Sequence, residues 1–129
     1  MDKKIANMWI KALNSGDYKQ GRFALRSEND CFCCLGVLCD LYDKDRKQKK
    51  KKSIKITNPK YNGNKNFACF QYGNQTDYLP TVVREWAGMS SNKGWLNGIN
   101  LSGLNDGDYD KQYTFKDIAK FIKKHIEIL

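Results

Sequence analysis

The chain has 129 residues, with 23 Lys and Arg against 14 Asp and Glu, a formal charge of +9, 40% hydrophobic residues and 29% charged ones. That length suits one domain, residues 1–129, with its own buried core. No apolar run approaches the roughly 18 residues a spanning helix needs, so no membrane partner is expected. The positive charge is concentrated: Arg46, Lys47, Lys49, Lys50, Lys51 and Lys52 supply six charges in seven residues, and only +3 remains without them. Net charge alone is therefore weak evidence for nucleic-acid binding.

The N-terminus leads into an amphipathic segment rather than an apolar signal core, so export is not expected. Ile5, Met8, Trp9, Ala12 and Leu13 follow the i, i+3, i+4, i+7, i+8 pattern of a first helix, with Asp2 as its cap and Gly16 as its stop. A polar turn, Asp17 to Arg22, precedes Phe23-Ala24-Leu25-Arg26. Ser27-Glu28-Asn29-Asp30 then offers a second helix start. The cysteine-rich run Cys31 to Tyr42 follows, apolar on most faces, which predicts a central buried helix. Within it, Gly36 permits close approach of a neighbouring backbone.

Residues 44 to 52 read as a charged surface connection, part of a basic and Asn/Gly-rich stretch over 44–66. Ser53 to Thr57 alternates like a half-exposed strand, and Phe67 to Tyr72 is a second β-like run. Asn58-Pro59 and Asn62-Gly63-Asn64 are turn signals between them. Pro80 suits the first turn of a helix carrying Val82, Val83, Trp86 and Ala87, ended at Gly88. Ser90 to Asp110 is rich in Gly, Asn and Asp and is expected to be mostly loop. The last helix is strong: Thr114 caps it, Asp117 takes the box position, and Phe115, Ile118, Ala119, Ile122, Ile126 and Leu129 form one stripe. The fold class is α+β, a mostly helical single domain with a small antiparallel β-hairpin or sheet.

Four of the five cysteines lie within nine residues. Their spacing departs from the C-x₂₋₄-C pairs of zinc sites, and His125 is the one histidine, so no metal and no cofactor is expected. A nucleophilic cysteine needs a nearby base and an electropositive setting. Without a partner histidine these thiols read as core, and no catalytic residue is expected. The odd count and adjacent Cys33 and Cys34 point to free thiols in a reducing, cytosolic compartment.

Asp40 differs, because a carboxylate in an apolar helix must be paired or hydrogen-bonded. Arg22 and Arg26, shortly upstream, are the expected partners, and a ligand contact is the alternative. The turn Lys19-Gln20-Gly21-Arg22 with Arg26 offers convergent amide and guanidinium donors of the kind that hold phosphate. Its bland reading is a solvated basic turn. Asn105 and Asp106, read as a turn into the last helix, carry the donors and acceptors that a base edge or ribose needs. Trp86, Trp95, Tyr72 and Tyr78 can stack on a base, although Trp86 equally suits the core.

Several pieces stand in this order along the chain: Trp9 to Ser15; Tyr18 to Arg22 with Leu25-Arg26; Phe32-Cys33-Cys34-Leu35-Gly36-Val37-Leu38-Cys39-Asp40-Leu41; Leu79-Pro80 with Val83 and Trp86-Ala87-Gly88; and Leu104-Asn105-Asp106 before Phe115, Ile118-Ala119 and Ile122. On these the chain resembles a family of small tailed-phage proteins. The resemblance implies a viral protein acting in the host cytoplasm and carries no assigned reaction.

Two functions compete. One is a non-enzymatic counter-defence protein that sequesters an anionic nucleotide-type immune signal, a cyclic nucleotide or ADP-ribose derivative. It would use Lys19, Gln20, Arg22, Arg26, Asp40, Asn105, Asp106 and Trp86. The other is an interaction protein that uses Arg46–Lys52 to bind nucleic acid, or masks a host defence protein. The amphipathic helices leave room for a homodimer.

Overall fold

The computed structural model describes residues 1–61 and 65–129. Among these residues, five helices enclose one apolar core and three two-stranded β pairs lie at its edge, an α+β arrangement.

Helix α1 (Lys3–Asn14) starts where the Asp2 side chain accepts the Ile5 N–H at 2.9 Å, and it buries Ala6, Trp9 and Leu13. Trp9 is fully buried, and its indole N–H donates to the Cys34 carbonyl at 2.9 Å, so the ring enters the core without an orphaned donor. Strand β1 (Lys19–Gln20) pairs in parallel with β2 (Cys31–Phe32).

Ser27 to Asp30 does not begin the central helix. The Ser27 hydroxyl accepts the Cys31 N–H at 3.2 Å and Asp30 sits at φ +57°, so the segment is a turn that returns the chain to β1. Side chains that cap helices also close turns, and the pairing of β2 with β1 decides between the two uses. The helix α2 (Cys34–Gln48) starts three residues later than the cysteine run does, with Cys33 as its cap. Leu35, Val37, Leu38 and Cys39 are fully buried. The expected close approach at Gly36 is present: a Cβ there would lie 1.7 Å from the Leu25 carbonyl oxygen.

The charged connection is corrected in its first half, where residues 44–48 continue α2. Asp40–Lys44, Asp43–Lys47 and Asp45–Lys49 form i,i+4 ion pairs, and the basic residues lie at the helix C-terminus, where the macrodipole favours them. Strand β3 (Ile56–Tyr61) pairs antiparallel with β4 (Ala68–Tyr72). Asn58-Pro59 is not a turn between them. It lies inside β3 at an irregularity between Thr57 and Lys60, where the missing Pro N–H interrupts no ladder. The Asn62-Gly63-Asn64 turn signal lies outside the described residues.

Helix α3 (Thr81–Ala87) follows Pro80 and ends at Gly88, φ +66°. The stretch expected to be loop is largely folded. It contains the hairpin β5 (Trp95–Leu96) and β6 (Ile99–Asn100), then helix α4 (Leu101–Asp106), capped by the Asn100 side chain accepting from Gly103 at 2.8 Å. Helix α5 (Phe115–Lys124) carries the expected Thr114/Asp117 capping box and buries Ile118, Ala119 and Ile122. Leu104-Asn105-Asp106 therefore closes α4 rather than leading into α5.

Candidate functional site

Three segments distant in sequence meet around Asn105: the turn after β1, the N-terminus of α2 and the C-terminus of α4. Asn105 is fully buried. Its Oδ1 accepts from Gln20 Nε2 at 3.0 Å and from the Cys34 N–H at 3.1 Å; its Nδ2 donates to the Gly21 carbonyl at 2.8 Å and to Asp106 Oδ1 at 3.0 Å. That satisfies the whole carboxamide and one orphan N–H of the α2 first turn. Gln20 extends the network, donating to the Tyr113 carbonyl at 2.8 Å and accepting from the Phe115 N–H at 3.1 Å. These two amides are committed to holding segments together.

Arg22 donates through Nε and Nη2 to the Asp106 carbonyl, at the end of α4 where orphan carbonyls and the dipole favour a cation. Gly107 makes room for it, since a Cβ there would lie 2.7 Å from Arg22 Nη2. Phe23, at φ +66° and half exposed, donates its N–H to Asp106 Oδ1 at 3.0 Å. Asp106 thus receives two hydrogen bonds on Oδ1, while Oδ2 has no partner among the described residues. Burial pushes its carboxyl above the ordinary range, partly offset by the Asn105 and Phe23 hydrogen bonds.

Beside this network lies a polar cleft of about 280 Å³. Phe23 and Tyr78 contribute aromatic surface, Asn100 and Ser102 polar groups, and Asp77, Asp106 and Asp108 carboxylates. Lys65, ion-paired to Asp77 at 2.7 Å, and Lys93, whose Nζ lies 4.6 Å from the Tyr78 ring centroid, supply two cations. Cys33 also lines the cleft, but burial, with smaller contributions from Asp106 and Asp77, pushes its thiol up to about 12. At neutral pH it is a neutral thiol rather than a thiolate nucleophile.

A family model described as a domain of unknown function, DUF8296, matches residues 1–126. The chain belongs to that family. No curated protein and no solved structure matches it.

Of the residues singled out in this DUF8296 chain, Gln20, Arg22, Asn105 and Asp106 come together. Tyr78 joins Asp106 in the cleft lining, and the others stand apart. Asp40 does not pair with Arg22 or Arg26. It accepts from the Tyr18 hydroxyl and is ion-paired to Lys44 at 3.0 Å, because its helix presents Lys44 one turn on while the arginines find nearer acceptors. Arg26 pairs with Asp30 at 2.6 Å and lies 3.9 Å from the Phe70 ring centroid. Trp86 packs edge-on to Tyr42 at 5.4 Å, Lys19 is exposed on β1, and Tyr72 is fully buried. Lys65, Asp77, Lys93, Asn100, Ser102 and Asp108 were missed as cleft residues. Each is an ordinary polar residue in sequence, and only the fold collects them.

Proposed function

We propose that this chain is a counter-defence binding protein that sequesters a nucleotide-type signalling molecule in the Phe23–Asp106 cleft without altering it chemically. One observation carries the reading: a single cleft combines cations, hydrogen-bonding carboxylates and aromatic surface. A nucleotide presents the complementary groups, with phosphate for Lys65 and Lys93, ribose hydroxyls and exocyclic amines for Asp106, Asn100 and Ser102, and a ring for Tyr78 or Phe23. The three carboxylates disfavour a bare polyanion. The volume of about 280 Å³ lies just below the roughly 300–1,000 Å³ of small-molecule pockets, so it suits a mononucleotide or one nucleoside half of an ADP-ribose-type messenger better than a cyclic oligonucleotide. The neutral Cys33 thiol supports binding over nucleophilic turnover. The viral setting in a host cytoplasm rests on the resemblance to tailed-phage proteins.

Calorimetry against cyclic mononucleotides, cyclic dinucleotides and ADP-ribose derivatives tests the reading. Binding of one class, weakened tenfold or more by Lys93→Ala and Asp106→Ala, with the ligand recovered unchanged on denaturation, supports it. No heat with any of them removes it. The alternative of a nucleic-acid contact through Arg46–Lys52 draws less support: Lys47 and Lys49 are ion-paired within α2, and Arg46 donates to the Lys52 carbonyl at 2.9 Å.

A further inference from the structure

A second site stands on α5, sharing no lining residue with the cleft. Tyr113 and Phe121 form a T-shaped pair, ring centroids 5.5 Å apart, and both rings are only partly buried. They wall a shallow pocket of about 250 Å³ edged by Lys111, Lys120 and Lys124. The Tyr113 hydroxyl donates to Asp110 at 2.9 Å, which fixes that ring, and the His125 ring lies near-parallel to Phe121 with centroids 6.4 Å apart.

The charge here is less compensated than in the Arg46–Lys52 run. Lys111, Lys116, Lys120, Lys123 and Lys124 are all exposed, and among the described residues none forms an ion pair. The one carboxylate in the pocket, Asp117, is bound to the Thr114 backbone in the capping box. Lys116, Lys120 and Lys124 are spaced one helical turn apart. They span about 12 Å, the reach of roughly three nucleotides of one strand.

We propose that this face binds single-stranded nucleic acid, with a base against Tyr113 and Phe121 and the flanking phosphates on the α5 lysines. Non-specific single-strand sites are built this way, from a cationic track interrupted by aromatic side chains on which bases stack. A duplex keeps its bases stacked internally and gains only the charge contribution. The site is independent of the cleft, so either assignment can fail without the other.

Fluorescence anisotropy with a labelled oligothymidine of roughly 12 nucleotides, and with a duplex of the same length, reads the difference at several salt concentrations. The single strand should bind at least tenfold more tightly than the duplex. Lys120→Glu with Lys124→Glu should weaken it tenfold or more and flatten the salt dependence by about 1.4 in log–log slope, two single-strand phosphate contacts. Phe121→Leu keeps an apolar side chain against the core and removes the ring. It should weaken binding about fivefold or more with the salt slope unchanged. Replacing Lys50, Lys51 and Lys52 with Gln should change little. The proposal is overturned by no binding at about 50 mM salt, by equal binding of duplex, by an Arg46–Lys52 dependence in place of an α5 dependence, or by unchanged affinity in a folded Phe121→Leu protein.

Discussion

Gly36→Ala sets two physical effects against each other. Helix propensity favours alanine over glycine inside α2 by about 1 kcal/mol. Packing opposes it. The added Cβ would stand 1.7 Å from the Leu25 carbonyl oxygen and 2.6 Å from its carbon, about 1.7 Å short of ordinary contact with the oxygen. The obstacle is backbone, and that backbone is held: Leu25 is fully buried and its N–H donates to the Thr76 carbonyl at 2.7 Å. Overpacking a core typically costs 1–3 kcal/mol even where side chains can yield. Here the net loss should reach about 3 kcal/mol or more, after the propensity gain. At roughly 4 °C per kcal/mol for a chain of this size, the melting temperature should fall by about 12 °C or more. Thermal and urea melts followed by far-UV circular dichroism measure it. A Gly36→Ala protein as stable as the parent would refute the close approach of α2 to the Leu25 backbone.

Asn105→Ala should cost about 2–4 kcal/mol, because it removes four hydrogen bonds and leaves the Cys34 N–H and Gly21 carbonyl unpaired; urea midpoints would show it, and a change under about 0.5 kcal/mol would count against the network. Asp106 should give the protein a pH-dependent loss. Its raised native carboxyl binds the proton more tightly than the unfolded chain does, so its stabilisation is complete below the ordinary carboxylate value and is lost as pH rises through the native value. Comparing Asp106→Asn with the parent across about pH 3 to 7 should show the parent losing ground as pH rises; a gain would contradict the burial. Asp117 has the opposite sign, since the Thr114 hydrogen bonds lower its carboxyl, and that contribution disappears as pH falls through the lowered value. Thiol titration of the folded protein should modify Cys31 first, the one cysteine of five that is not buried, with the rest reacting only on unfolding. Fast reaction of Cys33 would show that its thiol is not held in the neutral form.

Elements with a clean apolar period were legible in place and type, although the last helix ends at Lys124 and leaves Ile126 and Leu129 of the expected stripe beyond it. The first helix, its Asp2 cap and the Thr114/Asp117 box all depend on neighbours within four positions. The central helix was legible in its burial but not its start, because Cys31-Phe32 is claimed by a strand 12 residues earlier in sequence. The β5–β6 hairpin does carry a local signal inside the stretch expected to be loop. Asn97-Gly98 is the two-residue turn that positive φ values at both positions require, 49° and 96°. The site was half legible. Gln20, Arg22, Asn105 and Asp106 stood out as chemistry-bearing, and they do converge. Their partners were hidden because every contact except Asn105–Asp106 spans some 70 to 95 residues, which no periodicity encodes. Asp40 was read against the wrong arginines for the converse reason, since its Lys44 partner was one turn away on the same helix.

The buried Asn105 side chain ties Gln20 and Gly21 to the start of the central helix, and Gln20 carries the network on to residues 113 and 115. Such a junction is complete only when distant parts of the chain have docked. The cleft beside it therefore exists only in the finished fold. A molecule bound there reports on global unfolding, contributing about 2.7 kcal/mol when present at 100 times its dissociation constant. A simple shift in melting temperature across a chemical library thus becomes a search for the natural ligand, whatever its chemical structure.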